Sequence, residues 1–323
     1  MMRMRMLFMP VLALLATWSA SSALAQPYPV RPVRIVVPFA AGGAADIVGR
    51  LLAEEMRKDL GVAVMVENRG GANGLIGTEA VATAAPDGYT LLFGTNTTNA
   101  AAPALFKQLP FDPAKAFRAV ALVARTPFVL VVRGDGSMNT LGELAAFMKQ
   151  NPAAANYAYS NSTAQVAGAF FAKQANAPMT AVPYKGEAAA ITDVVVGEVA
   201  FAFASVAAVR PFLDSKRVRA LAVTSRARSA LLPDIPSIVE AGFPDAETVA
   251  WAAFFAPAGT PDEIVQRQSA SLERALAQPA MKRQLARHGS EVDYLPLQKT
   301  DEFVRDQFEV WGAKIRAAGI EPQ

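Results

Sequence analysis

Apolar residues in this chain gather in short runs, and stretches with helical periodicity lie between the runs. Apart from Arg34, the runs 33–37, 62–66, 90–93 and 119–124 are built from Val, Ile, Leu, Met, Phe, Thr and Ala. Short, nearly continuous apolar runs of this kind fit strands covered on both faces. After the first run, Ile47, Val48, Leu51 and Leu52 recur at helical spacing. Arg50, Glu54, Glu55, Arg57 and Lys58 take the opposite face, which predicts an amphipathic helix from about Ala44 to Leu60. Gly70, Gly71 and Gly74 mark a flexible turn before a helix over 77–83, and Pro86-Asp87-Gly88 marks another turn.

The pattern then restarts. Apolar runs at 128–132, 156–159, 180–183, 199–204 and 219–224 alternate with helical stretches, beginning with 141–150. A last apolar run at 249–256 precedes two helices, 262–276 and 301–318. Strands alternating with helices predict mainly parallel sheets flanked by helices, and two such sets predict two α/β lobes. If 249–256 returns to the first sheet, the chain crosses between lobes twice, near Thr126 and near 240–250. The expected division is lobe one from 26–125 with 246–323, and lobe two from 126–245. Paired crossovers make a hinge, and the cleft can close on a small molecule.

In open α/β sheets ligands sit beyond the carboxyl ends of the strands. Lobe one supplies Phe39 to Asp46 there and the polar run Thr95 to Asn99, which includes Asn96; lobe two supplies Ser160 to Gln165 and Tyr184-Lys185-Gly186. The first of these is the most informative. Strand, Gly42-Gly43 turn and helix start together expose backbone N–H groups at the positive end of a helix dipole. That is a seat for an anion, here read as a carboxylate. Hydroxyls, amides, backbone N–H groups and one Lys suit binding of a small acid, and no paired acid and base suits bond-breaking, so the chain is not expected to be an enzyme.

Composition narrows this further. The chain has 323 residues, 52% of them hydrophobic, enough for two cored lobes. It has no cysteine and a single histidine, His288, in the polar stretch ARHGSE, so thiolate or His-rich metal centres and Ser-His triads are poor readings, and no cofactor is expected. Arg3 and Arg5, the apolar run 7–16 and Ala23-Leu24-Ala25 read as a cleavable export signal over 1–25, which predicts a mature chain outside the cytoplasm. Cleavage lowers the formal charge from +3 to +1, and no cluster of Lys and Arg with interleaved aromatics points to nucleic acid.

The residues then become familiar as a set. PFAAGGAADIVGR (38–50), VENRGGANGLIGTEAVATAAPDGYTLLFGT (66–95), VPYKGEAAAITDVVVGEV (182–199), LLPDIPSIVEAGFP (231–244) and FFAPAGTP (254–261) resemble, in family order, the Bug-type receptors. These are the periplasmic solute-binding proteins of tripartite tricarboxylate transporters, and the resemblance covers nearly the whole mature chain. It implies a type II, Venus-flytrap binding protein, expected as a monomer, that hands an organic anion to a membrane permease. It also implies that the ligand carboxylate rests on backbone groups and ordered waters of the loop after the first strand. Carried onto this chain, that set is Phe39, Ala40, Ala41, Gly42, Gly43 and Asp46, faced by Ser160, Ser162, Thr163, Tyr184, Lys185 and Gly186. One departure stands out: Gln165 occupies the place where many relatives carry a His, so no particular substrate is transferred.

Several residues have two readings. Asp46 is a ligand contact or a brace that bonds backbone N–H groups of its own loop. Lys185 pairs with the ligand or is an exposed loop lysine, and Tyr184 is expected in the cleft wall. Glu67-Asn68-Arg69 reaches the cleft or, as the favoured reading, forms an internal ion pair or turn, and Trp251 and Phe254 read as hinge or core. A dinucleotide enzyme is the rival from another class, because Glu67 ends the second strand about 20 residues past the glycines. The spacing Gly42, Gly43, Gly49 is not GxGxxG, however, and an export signal suits a nicotinamide enzyme badly. A receptor that presents its ligand to a membrane sensor, without transport, is the second alternative.

Overall fold

The computed structural model describes residues 28–323; the expected signal peptide, 1–25, lies outside the described residues. The first lobe begins β1 (Val33–Val37), α1 (Ala44–Leu60), β2 (Val64–Asn68), α2 (Leu75–Ala82), β3 (Thr90–Thr95) and α3 (Ala102–Leu105). A long strand, β4 (Phe117–Arg133), leads into α4 (Leu141–Gln150), β5 (Asn156–Tyr159), α5 (Ser162–Gln174), β6 (Thr180–Pro183), α6 (Glu187–Val196), β7 (Phe201–Ser205), α7 (Val206–Asp214) and β8 (Val218–Val223). The chain returns through β9 (Val249–Pro257) and ends with α8 (Asp262–Ala277), α9 (Pro279–Arg287), β10 (Glu291–Pro296) and α10 (Leu297–Ala317).

The protein is two-lobed, each lobe an α/β sheet flanked by helices. Strand order runs β2-β1-β3-β9-β4-β7-β5-β6, with β8 and β10 as further partners of β4. The expected parallel core is present in both halves, as β2-β1-β3 and as β6-β5-β7. The mainly parallel description stops there: β9, β4, β8 and β10 join antiparallel, which makes each sheet mixed. The physical reason is the crossover itself, since a chain that runs out along β4 and comes back along β9 lays two neighbours in opposite directions.

β4 also corrects an expected break. Arg125-Thr126-Pro127 separates two apolar runs in the sequence, yet one strand passes through all three. Up to Pro127 it pairs with β9, and from Phe128 onward it pairs with β7 and β8. Pro127 has no N–H to donate, so it is accommodated where the strand exchanges one partner for another. The amide of Phe128 is taken up at once by Thr224 Oγ1 at 2.8 Å. The second strand lies two residues later than expected, and α9 and β10 were not anticipated, because the polar sequence around His288 hides them. His288 sits half-buried at the end of α9.

Each sheet is covered on both faces. Leu52 and Met56 of α1 with Val265 and Leu272 of α8 pack on one face of the first sheet, and Val81, Trp311 and Ile315 on the other. In the second, Leu144, Ala167 and Phe171 cover one face, and Ile191, Val194 and Val209 the other. Phe254, expected in hinge or core, is fully buried in the first sheet against Phe93.

Candidate functional site

β1 delivers the chain to buried Pro38, and the loop then turns into α1. Gly42 adopts φ 87°, the left-handed region that costs a residue with a Cβ but not glycine. Gly43 caps α1 in extended geometry, so it is needed only for space. The loop is held from behind by Asp46, whose carboxylate accepts from Gly42 N–H at 3.0 Å, Arg50 Nε at 2.8 Å and Asn68 Nδ2 at 3.0 Å. Asn68 donates in addition to the Phe39 carbonyl at 3.1 Å. Of the two readings of Asp46, the geometry is that of the brace. Glu67 is bonded to Arg69 at 2.6 Å and Arg34 at 3.2 Å, as an internal ion pair.

In front of this loop lies a cavity of about 70 Å³ between the lobes. Phe39, Val48, Phe93, Phe128 and Trp251 give it apolar walls, and Thr95, Asn96, Thr97, Thr126, Ser160, Asn161 and Thr163 give it hydroxyls and amides. N-terminal residues of three helices reach it: Gly43 to Ala45 of α1, Asn161 and Thr163 of α5, and Gly186-Glu187 of α6. Helix N-termini concentrate unpaired N–H groups, so the cavity favours a negative charge although no Lys or Arg lines it. Among the lining residues Glu187 alone is ionisable.

Glu187 was not anticipated from the sequence. Its one signal was ambiguous, because an acid in the first turn of a helix ordinarily reads as a dipole partner. Here it is held inside its own lobe by Ser205, whose hydroxyl donates to Oε2 at 2.6 Å and whose N–H donates to Oε1 at 3.3 Å. Its other side faces lobe one. A Cβ on Gly43 would stand 3.3 Å from Oε2, and the Ala44 N–H favours the charged form. Burial outweighs these donors and pushes the carboxyl above its ordinary value.

The structure divides the expected site residues into four groups. Phe39, Ala40, Gly43, Thr95, Asn96, Ser160, Thr163 and Gly186 line the cavity. Ala41, Gly42 and Asp46 shape the loop without lining it. Ser162 is wholly buried in a bonded junction between the lobes: its Oγ accepts from Asn96 Nδ2 at 3.1 Å and lies 2.9 Å from Thr97 Oγ1. Tyr184 and Lys185 line a neighbouring groove of about 240 Å³ with Ala72, Asn73 and Gln323, on the far side of Phe39 and Ser160. The Tyr184 hydroxyl donates to Asp193 at 2.6 Å; burial first, and that carboxylate second, push its pKa up to about 12. Trp251, expected in hinge or core, belongs to both hinge and cavity, since its N–H donates to Asn96 Oδ1 at 3.3 Å. Gln165 is buried with Oε1 unpartnered and does not line the cavity.

A hinged pair of α/β lobes with a small cavity lined by helix N-termini defines a solute-binding receptor. Residues 48–320 match the family described as tripartite tricarboxylate transporter family receptor, and this chain belongs to that family. It is similar to the solved periplasmic binding protein BugD, at 36% identity and a TM-score of 0.86 over 92% of this chain and 100% of that one. It is similar also to Rpa4515 of R. palustris, solved with adipate, at 32% identity and a TM-score of 0.88 over 92% of this chain and 100% of the other. MatC of Rhodopseudomonas palustris, solved with bound malate, is 34% identical with a TM-score of 0.82 over 89% of this chain and 100% of that one.

Proposed function

We propose that this receptor captures a small organic carboxylate in the cavity between its lobes and delivers it to a tripartite tricarboxylate-type permease. The observation that carries the reading is the wall of the cavity: helix N-termini and no basic side chain, with a carboxylate of the protein itself against Gly43 and Ala44. Such a site takes a carboxylate on backbone groups and on waters of the 38–46 loop, and it lacks the acid–base pair that turnover requires. The adipate and malate of Rpa4515 and MatC support the ligand class. In this reading the signal 1–25 is removed, the chain works in the periplasm as a monomer, and the lobes divide at 125/126 and 245/246.

A thermal-shift screen of the mature protein against mono-, di- and tricarboxylates, aromatic acids, amino acids and nucleotides tests it. A selective ligand at a hundredfold excess over Kd stabilises the fold by about 2.7 kcal/mol. Stabilisation by one or a few carboxylates is expected. A shift with a nucleotide and with no organic acid would overturn the reading.

A further inference from the structure

Glu187 has no place in a simple anion seat, because it puts a second carboxyl where the ligand's must go. It cannot swing clear without loss: the Ser205 hydroxyl that holds it at 2.6 Å also caps α7 by accepting from Ala208 N–H at 3.3 Å. A ligand carboxylate on the first turn of α1 would therefore lie beside it, because Oε2 stands only 3.3 Å from where a Cβ on Gly43 would be.

Among the described residues no neighbouring charge relieves the pair. On α1, Asp46 is spent on Gly42, Asn68 and Arg50, and Arg50 on Asp46 and Asn68. Beside α6, Lys185 opens on the other groove, and Asp193 accepts from Tyr184. Arg210 of α7 is 3.9 Å from Asp214, and Arg133 of β4 pairs with Asp135. None of these groups lines the cavity.

Two carboxylates that share one enclosed site do not both stay ionised. Resting on the carboxylate-receptor reading, we propose that capture is coupled to uptake of one proton from solvent, which Glu187 holds and donates in an O–H···O bond to the ligand carboxylate. Glu187 is thereby a specificity residue. Protonated, it rewards an acceptor at the seat. A ligand with an ammonium beside its carboxylate would need Glu187 ionised, and would bind without the proton. Burial already displaces the carboxyl in the required direction.

Calorimetry of the mature protein in two buffers of different ionisation enthalpy at pH 7 counts the protons, with acetate, benzoate, malate and adipate as probes. The parent is expected to take up close to one proton per carboxylate bound, and its Kd to rise about tenfold per pH unit above pH 7. Glu187→Gln is expected to bind with no proton exchange and a flat Kd. Carboxylate binding to the parent without proton uptake overturns the coupling and leaves the receptor reading standing. Equal uptake in Glu187→Gln assigns the proton elsewhere and overturns it too. Failure of every organic acid in the thermal-shift screen removes the receptor reading, and the coupling with it. The parent's proton count decides even if the variant folds poorly.

Discussion

Two contacts between the lobes border the cavity, and their chemistry differs. Toward the hinge, Asn96 and Thr97 of lobe one meet Ser162 and Thr163 of lobe two through neutral groups that satisfy one another. Asn96 Nδ2 donates to Ser162 Oγ at 3.1 Å and Thr163 Oγ1 at 2.9 Å, while Ser162 N–H donates to Thr97 Oγ1 at 3.2 Å. All four residues are buried. Toward the 38–46 loop, small residues meet instead: a Cβ on Gly186 would come within 2.9 Å of the Ala40 Cβ, and Glu187 lies against Gly43. Separating the first contact exchanges hydrogen bonds that are already satisfied for bonds to water, with nothing gained. Separating the second exposes glycine, alanine and a carboxylate to water, where the carboxylate is more at ease. The first contact is therefore expected to stay made as a pivot, and the second to open and close.

Three substitutions test that contrast. The largest effect is expected for Gly43→Val, whose branched side chain would push Glu187 back and fill the space over α1. Every carboxylate should lose at least about tenfold in affinity, or ~1.4 kcal/mol, by titration calorimetry. Unchanged binding would remove the loop from the site. Ser162→Ala should act on stability, because Thr97 Oγ1 loses its hydroxyl partner and keeps only the Ser162 N–H, and Asn96 is left with one acceptor fewer. A loss of about 1–3 kcal/mol in urea unfolding is expected, with the ranking of ligands preserved. A changed ranking at full stability would put Ser162 in contact with ligand and dissolve the idea of a fixed pivot. Lys185→Ala should do least. Its side chain is in the adjoining groove, so affinity for a small acid should change by less than about threefold. A larger loss would mean that the ligand extends past Phe39 and Ser160 toward that groove.

Much of the fold was legible because local rules and tertiary packing agree over most of the chain. The helix from Ala44 to Leu60 has its glycine start, its charged face and its apolar face all in the sequence, and α1 has those bounds. The strand exits were legible too, since polar and glycine-rich residues interrupt apolar runs there. What was hidden shares one cause. β4 looked like two strands because a proline and two polar residues stand in its middle, and only the change of partners at Phe128 makes them compatible with one strand. β10 was missed because it is an edge strand with polar residues, fixed by pairing with β4 rather than by its own pattern.

The candidate site divides along the same line. From sequence alone come the two lobes, the anion-receptive start of α1, and the absence of cysteine and of a histidine near the glycine loop. These follow from periodicity, composition and backbone chemistry, which act over a few residues. Tertiary structure decided which polar residues look into the cavity and which are spent elsewhere. Ser162 and Thr163 are adjacent and alike, yet Thr163 lines the cavity and Ser162 is consumed in the pivot. Asp46 turns back to brace its loop, whereas Glu187, on the opposite lobe, reaches the seat. Hydrogen-bonding capacity is written in each residue type, but the partner that uses it is brought up by the fold from far along the chain, 67 residues for Asn96 and Thr163 and 155 for Asn96 and Trp251.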